Sequence, residues 1–512
     1  MLRLYFCVSI VPIASMKATT QAAAKIATRN RLKQWMPIGL ILLFAAALYL
    51  YQLGTESLWA DELYSILDAQ EFNFSAIRPL YYILLRVWMQ FGTTDAWLRG
   101  LSVIFGLGSV FLIYQLGCRI AGKPTGSIAA LLLTLSPLFL DRVQEVRMYA
   151  LSTFLTLGGT LGFTYVLDRP KTTTMALWVG TRLLAILTTP LNVILLLPDI
   201  VLFGWKFRHQ RRLLLTFGKW LLLLGILLLP SVFATIAVTP QFVSDWIATQ
   251  PAPSVFDVLF TLTTLTGWSF ALPVGGEIAW FYEAVYFKLY ALMLVCLLGI
   301  ALLERRKERL IWVAAWAFLP SAFMFVGSHI STSFWVDRYL LFFCPYILIL
   351  LAAGFTRIWQ RQRTVAIVLA LVYTFTTGSV LVQYYATQQR EDWRSVAQAI
   401  AAHEQLGDII AYSSPTTRPL RALAMHYYTG SARFDNIESL ARISDRPAAE
   451  RVLGTLPPIQ SRLWLIVKLA QNEEKQRQIF QAVMRDKFQV ERSWQFQRLE
   501  LFLLSPSPVQ KS

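Results

Sequence analysis

Long apolar runs interrupted by short basic clusters dominate this chain. Residues 37–55, 100–118, 124–140, 148–166 and 220–238 each lack Asp, Glu, Lys and Arg. A helix needs about 20 apolar residues to cross about 30 Å of hydrocarbon. Lipid admits only structures that pair every backbone group internally. The pattern therefore predicts an α-helical polytopic membrane protein. Six basic groups separate the runs: the arm before residue 37, Arg119 with Lys123, Arg169 with Lys171, residues 206–219, Arg305 to Arg309, and Arg357 with Arg361 and Arg363. If all six are cytoplasmic, an even number of crossings must separate neighbours. Runs near 97–118 and 124–140, 148–166 and 172–188, 190–204 and 220–238, 285–303 and 310–327, and 339–356 and 364–384 satisfy this. With 37–53 they give about eleven transmembrane helices, the N-terminus inside and the C-terminus outside. Segment 239–284 holds no Lys or Arg, as the opposite side should.

Two places depart from simple crossings. Residues 172–204 fit two spans only as short, tilted helices meeting at Thr188-Thr189-Pro190, and Arg182 interrupts the first. The first outer loop, 54–96, contains an apolar but short stretch from Leu80 to Trp88 broken by Arg86. That stretch predicts an amphipathic helix lying in the interface.

After residue 385 the chain becomes polar. Asp408–Ser413, Arg462–Leu469 and the 489–504 region look like strands, the last as a hairpin, while 391–404 and 472–487 have helical periodicity. The expected organisation is a basic cytoplasmic arm over 1–36, a membrane domain over 37–385, and a small extracytoplasmic α/β domain over 386–512.

Composition sharpens this picture. The chain is 56% hydrophobic and 15% charged, against about 25% charged in soluble domains. The net charge of +17 lies in the turns between apolar runs, where it sets topology and calls for no nucleic acid. Cys7, Cys118, Cys296 and Cys344 show no disulfide or zinc spacing. The apolar run 4–15 has the look of a signal peptide, and Met16 is an alternative start.

Candidate chemistry gathers in the outer loops. Asp61-Glu62 follows the first span directly. Adjacent carboxylates there can supply a general base or a metal ligand, or simply solvate a helix start. In the turn Asp141-Arg142-Val143-Gln144-Glu145-Val146-Arg147-Met148-Tyr149, Asp141, Glu145 and Tyr149 recur every four residues and share a helix face. Arg338, beside Tyr339, is a cation on an otherwise acidic or neutral side. Such an arginine holds a phosphate in a bidentate fork or snorkels to lipid headgroups. Arg78 and Arg86 invite the same two readings. Carboxylates with phosphate-binding cations at a membrane surface suit a reaction on a phosphate-bearing lipid. No Walker motif or Gly-rich dinucleotide turn is present, so the substrate must arrive activated.

These segments, in this order, resemble the GT-C membrane glycosyltransferases. The likeness is to the family 39-like branch of protein O-mannosyltransferases and lipid A aminoarabinose transferases. Asp61-Glu62 is similar to that branch's first-loop acidic pair. Arg78-Pro79-Leu80-Tyr81-Tyr82 is similar to its His-Pro-Pro-Leu-Tyr-Tyr pattern, with Arg and one Pro here. Glu145-Val146-Arg147-Met148-Tyr149-Ala150-Leu151 is similar to Glu-Ala-Arg-Met-Tyr-Ala-Leu, and Arg338-Tyr339-Leu340 to a late Arg-Tyr-Leu. The tip Thr188-Thr189-Pro190-Leu191 lacks the histidine that members often carry there.

The resemblance implies a polyprenyl-phosphate sugar donor, an extracytoplasmic acceptor (lipid, glycan or protein) and inversion at the anomeric carbon. It implies Asp61, Glu62 and Glu145 as catalytic acids, with Asp61 the base. It implies Arg78, Tyr82, Arg147, Tyr149, Arg338 and Tyr339 as substrate-binding residues. It leaves room for a divalent metal at Asp61 and Glu145, and for no other cofactor. The expected location is the inner membrane, with the site on the periplasmic side. A transporter or lipid flippase is the alternative, for which inverted repeats and mid-membrane charges are the signature.

Overall fold

The computed structural model describes residues 35–71, 78–242, 250–267, 285–303, 308–413, 417–437, 445–454, 462–468, 478, 482 and 489–505. The amino-terminal arm lies outside them, as does nearly all of the expected helix 472–487.

The chain opens with α1 (Trp35–Leu50). Two helices of the 54–96 segment follow, α2 (Ala60–Gln70) and α3 (Pro79–Met89), then α4 (Asp95–Ala121), α5 (Lys123–Leu135), α6 (Pro137–Val143), α7 (Tyr149–Asp168) and α8 (Thr172–Thr188). A 3-10 turn (Pro190–Leu195) leads to α9 (Leu196–Lys206) and α10 (Arg211–Phe242). Then come α11 (Val255–Thr266), α12 (Phe287–Leu302), α13 (Glu308–Ile330), α14 (Asp337–Leu340), α15 (Cys344–Arg361) and α16 (Arg363–Ala386).

Among the described residues five helices are long and apolar enough to cross a membrane, or six if the bent pair α5–α6 is one span. The others expected as spans are short. The 124–140 run is not one helix: it bends by 66° between α5 and α6. The break is local chemistry. Ser136 accepts from Phe139 N as a cap, and Pro137 occupies the first turn of α6. The stretch 172–204 does form two short helices either side of Thr188-Thr189-Pro190. Segment 239–284 contains α11, an apolar helix where a loop was expected.

Turns between antiparallel neighbours gather the basic residues at one end of the bundle. There Arg119 and Arg309 both pair with Asp168, at 2.6 and 3.0 Å, and Lys206 pairs with Glu308 at 3.4 Å. Gly122, with φ of +100°, makes the tight α4–α5 turn. Just inside it the two helices touch backbone to backbone, where a Cβ on Gly117 would lie 2.7 Å from Gly126 Cα.

Arg182 does not protrude into lipid. It is wholly buried against Asp199 of α9, with Nε–Oδ2 at 2.8 Å. Trp178 and Trp316 each donate to Asp199 at 2.8 Å, while Arg182 also donates to Thr156 O and Thr160 Oγ1. A paired and hydrogen-bonded charge is how an ionisable group survives inside a membrane domain. This network ties the short helices to α7 and α13.

After α16 come α17 (Trp393–His403), β1 (Ile409–Ser413), α18 (Arg418–His426), β2 (Arg433–Ile437), α19 (Arg446–Gly454), β3 (Leu463–Lys468), β4 (Gln489–Phe496) and β5 (Leu499–Ser505). They build a five-stranded sheet in the order β2-β1-β3-β5-β4. β1 runs parallel to β2 and β3, and β5 antiparallel to β3 and β4. β3 and β5 are central and almost wholly apolar, as strands covered on both faces should be. β2, α18 and α19 lie where the sequence pattern predicted no element.

This sheet region is fastened to the 54–96 segment. Arg418 pairs with Asp68 and Arg421 with Glu71 of α2. Asp95, at the start of α4, meets Arg394, His426 and Tyr427. Ser57 donates to Glu391 O at 2.7 Å.

Candidate active site

Asp61 and Glu62 sit in the first turn of α2, one residue apart, so their side chains leave the helix about 100° apart. Glu62 points inward and is completely buried. Arg99 of α4 grips it with two bonds, Nε to Oε1 at 3.0 Å and Nη2 to Oε2 at 2.9 Å. Val146 N donates to Oε1 at 2.8 Å and Trp59 N to Oε2 at 3.2 Å. A carboxylate has about four acceptor sites, and here all are used. Arg99 spends its remaining donors on the carbonyls of Leu53, Glu56 and Ser57. Burial pushes the Glu62 pKa up, but Arg99, helped by Arg390, outweighs it and holds the carboxyl below its ordinary value. Its contacts are those of a structural tie between α2, α4 and the 144–148 turn.

Asp61 faces the other way. Its side chain is 27% exposed and stands between two guanidiniums, Arg338 Nη1 at 3.4 Å and Arg147 Nη2 at 3.7 Å. Arg147 is oriented by bonds from Nη1 to Asp61 O and Ser65 Oγ, both 3.0 Å. Arg338 belongs to α14, far along the chain, and its guanidinium lies 5.4 Å from the ring centre of Tyr339.

Glu145 lies in the turn before α7 and is buried. Its Oε1 accepts from Arg142 at 2.6 Å, while Oε2 is buried without a hydrogen-bond partner among the described residues. Ser102 Oγ donates to the Glu145 carbonyl at 2.5 Å, fixing the turn against α4. Burial raises the Glu145 pKa to about 7. Arg142 and Arg390 oppose the rise, and Asp141 and Glu62 add to it. Arg142 also pairs with Asp141 at 2.8 Å. Asp337 is charge-coupled to the same Arg142, and burial raises its pKa too.

The tyrosines surround these charges. The Tyr149 ring centre is 5.6 Å from the Arg142 guanidinium and 5.9 Å from that of Arg147. Tyr82 is buried, packs edge-on against Tyr81 and feels the charge of Arg147. Arg78 begins α3 and makes no ion pair among the described residues, so no contact joins it to Asp61.

The structure therefore brings Asp61, Arg147 and Arg338 into direct contact. It sets Glu145 and Tyr149 alongside through Arg142 and the shared turn. Three partners escaped the sequence reading. Arg99 was hidden inside an apolar helix. Arg142 is one charge among several in the 141–149 turn, and nothing in the sequence singles it out. Arg390, from the segment after α16, reaches Asp141 Oδ1 at 3.4 Å across 249 residues of sequence.

A metal at Asp61 and Glu145 does not fit these surroundings. Asp61 already sits between two cations. Among the described residues no group of three or more His, Cys, Asp or Glu is placed to hold a metal ion.

No protein-family model matches the chain, and no curated protein matches it in sequence. Solved structures do match. ArnT from Cupriavidus metallidurans in the apo state aligns over 92% of this chain and 98% of its own, with a TM-score of 0.57 and 13% identity. The same protein bound to undecaprenyl phosphate aligns over 91% and 97%, with a TM-score of 0.56 and 13% identity. The Archaeoglobus fulgidus oligosaccharyltransferase AglB, in complex with an inhibitory peptide and a dolichol-phosphate, aligns over 94% and 75%, with a TM-score of 0.52 and 11% identity. At such identities the likeness is one of fold, and it spans membrane helices and carboxy-terminal sheet together. The chain has the GT-C fold of these membrane glycosyltransferases.

Proposed function

We propose that this chain transfers a sugar from a polyprenyl-phosphate donor to an acceptor outside the cytoplasm, with Asp61 as the base. The observation that carries the reading is Asp61 held between Arg147 and Arg338 at 3.7 and 3.4 Å, partly open to water. A sugar or lipid hydroxyl is a poor nucleophile, and a positioned carboxylate helps by taking its proton. The acceptor oxygen bonds to the anomeric carbon as the carbon–phosphate oxygen bond breaks. The bonding pair leaves with the phosphate, the proton goes to Asp61, and the anomeric configuration inverts. Arg338 and Arg147 face the charge that gathers on the departing phosphate. Arg78, Tyr82, Tyr149 and Tyr339 line the approach for donor or acceptor. Glu145 orients the acceptor, while Glu62 holds α2 in place. No metal takes part in this scheme. Undecaprenyl phosphate and dolichol-phosphate in the neighbouring structures support a lipid phosphate as the leaving group.

The finer topology belongs to the same proposal: eleven crossings, the short α8 and α9 among them, with the membrane domain ending near 385 and the sheet domain outside. The basic end of the bundle then faces the cytoplasm, and Asp61 the periplasm. The alternative, transport, would draw on the buried Arg182–Asp199 pair. That pair's hydrogen bonds to two tryptophans and a threonine favour a fixed tie over a cargo site.

The test is transfer itself. Purified full-length protein in lipid nanodiscs, given a labelled polyprenyl-phosphate sugar and an envelope extract, should move label to an extractable product of inverted configuration. Transport of solute or lipid without any glycosylated product would overturn the reading.

A further inference from the structure

The end of the bundle opposite Asp61 holds a cavity. It lies between the last turns of α12 and α15 and has a volume of about 260 Å³. Ile300 and Leu303 line it from α12, and Arg357, Ile358, Arg361 and Gln362 from α15. α15 starts just after α14, which carries Arg338, and Arg357 lies 13 residues beyond that start. At 1.5 Å per residue that is about 20 Å, most of a hydrocarbon thickness away.

The cavity is built by a helix crossing. At Gly354 the two helices meet backbone to backbone, since a Cβ there would overlap the Leu297 carbonyl. They separate towards their last turns, where the cavity lies. Arg357 Nη1 donates to Ile300 O at 2.9 Å, which anchors its guanidinium across the end of α12. Leu303, 74% exposed, flanks the opening. Among the described residues neither Arg357 nor Arg361 pairs with an acid, and no acid lines the cavity. Of the acids near this end, Asp168 is paired with Arg119 and Arg309, and Glu308 with Lys206; Glu304, next to Leu303, lies outside the described residues.

We propose that this cavity binds the phosphate headgroup of an anionic diacyl phospholipid. Arg357 and Arg361, which meet no acid among the described residues, supply the headgroup site. An apolar wall continuous with the lipid-facing surface supplies the place for the first acyl carbons. A basic pocket between spans is what such headgroups select. A zwitterionic lipid brings its own cation and gains little from the arginines. A free phosphate gains nothing from Leu303 and Ile358. The site is separate from Asp61 and its two arginines and does not depend on the transfer reaction.

The test uses the full-length chain in detergent, with retained lipid read by native mass spectrometry and thermal unfolding read in parallel. The probes are phosphatidylglycerol, phosphatidylcholine, inorganic phosphate and undecaprenyl phosphate. Phosphatidylglycerol should be retained and should raise the unfolding temperature. Phosphatidylcholine and phosphate should do neither. Arg361→Gln, a change at an exposed side chain, should weaken phosphatidylglycerol binding about fivefold, and Arg357→Gln by a similar factor, at about one unit charge each. Both should leave the effect of undecaprenyl phosphate unchanged. Equal retention of phosphatidylcholine, stabilisation by phosphate alone, or undiminished phosphatidylglycerol binding in Arg361→Gln would each overturn the proposal.

Discussion

Asp61 and Glu62 are chemically near-identical neighbours with opposite surroundings. Glu62 is saturated by Arg99 and two backbone amides, whereas Asp61 meets two guanidiniums at the edge of water. Glu62→Ala should therefore act on folding. Removing one partner of a buried ion pair costs about 3–5 kcal/mol, read as a large drop in unfolding temperature and yield. Arg338→Lys keeps the charge but loses the planar fork. Transfer should fall by about 10²-fold, the scale seen when a group stabilising a leaving oxyanion is lost, with expression unchanged. Glu145 gives a pH prediction. Its pKa is raised to about 7 by burial against the opposing charge of Arg142. If its ionised form orients the acceptor, the rate rises as pH climbs through that value and falls as protonation returns below it. Glu145→Gln should remove that step and leave a flat profile. Adjacent acids in a sequence do not reveal which one faces a cation inside the fold. Asp61 and Glu62 were legible as a pair, and the resemblance pointed to Asp61 as the base, but nothing in the sequence marked Glu62 as the buried partner of Arg99.

At the scale of elements, opposite charges form a chain: Glu56, Arg390, Asp141, Arg142 and Glu145 follow one another in contact. Arg390 enters it from the segment joining α16 to the sheet region, so seating of that region bears on the turn that holds Glu145. Groups acting through one another give non-additive effects. The double variant Arg390→Met/Asp141→Asn should lose no more activity than the worse single variant, while independent roles would give the product of the two losses. The Arg182–Asp199 pair offers a second cycle. Arg182→Met alone leaves a buried unpaired carboxylate and should be strongly destabilising. Arg182→Met/Asp199→Leu should recover much of the loss, because an apolar replacement of a buried pair is often neutral. The sequence showed Arg182 only as an interruption. Its partner lies on the next helix, beyond the Pro190 turn, where helical periodicity carries no information. The Ser136-Pro137 break was written in residues that cap and start helices, yet it is masked by uninterrupted hydrophobicity on both sides.

For the whole molecule, charge bias was the most informative feature of the sequence. Basic turns at every second junction fixed which helix ends lie together, and the structure groups Arg119, Lys206 and Arg309 at one end with Asp61, Glu145 and Arg338 at the other. Apolar composition alone overstates span length, since α8, α9 and α12 are short pieces packed within a bundle. The sheet's central strands, β3 and β5, were readable from their apolar runs. β2 was not, because Arg433-Phe434-Asp435-Asn436-Ile437 is a short, polar edge strand whose pairing is decided by β1. Ion pairs across hundreds of residues, such as Arg338 with Asp61 and Arg390 with Asp141, arise only once the helices pack. The central claim is that one carboxylate in that packed chamber removes the acceptor proton. Single-turnover kinetics of full-length protein and Asp61→Asn, with labelled polyprenyl-phosphate sugar bound to both, test it most directly. The account predicts equal donor binding and loss of sugar transfer by at least about 10²-fold in the variant. Transfer at the parental rate by Asp61→Asn would contradict it.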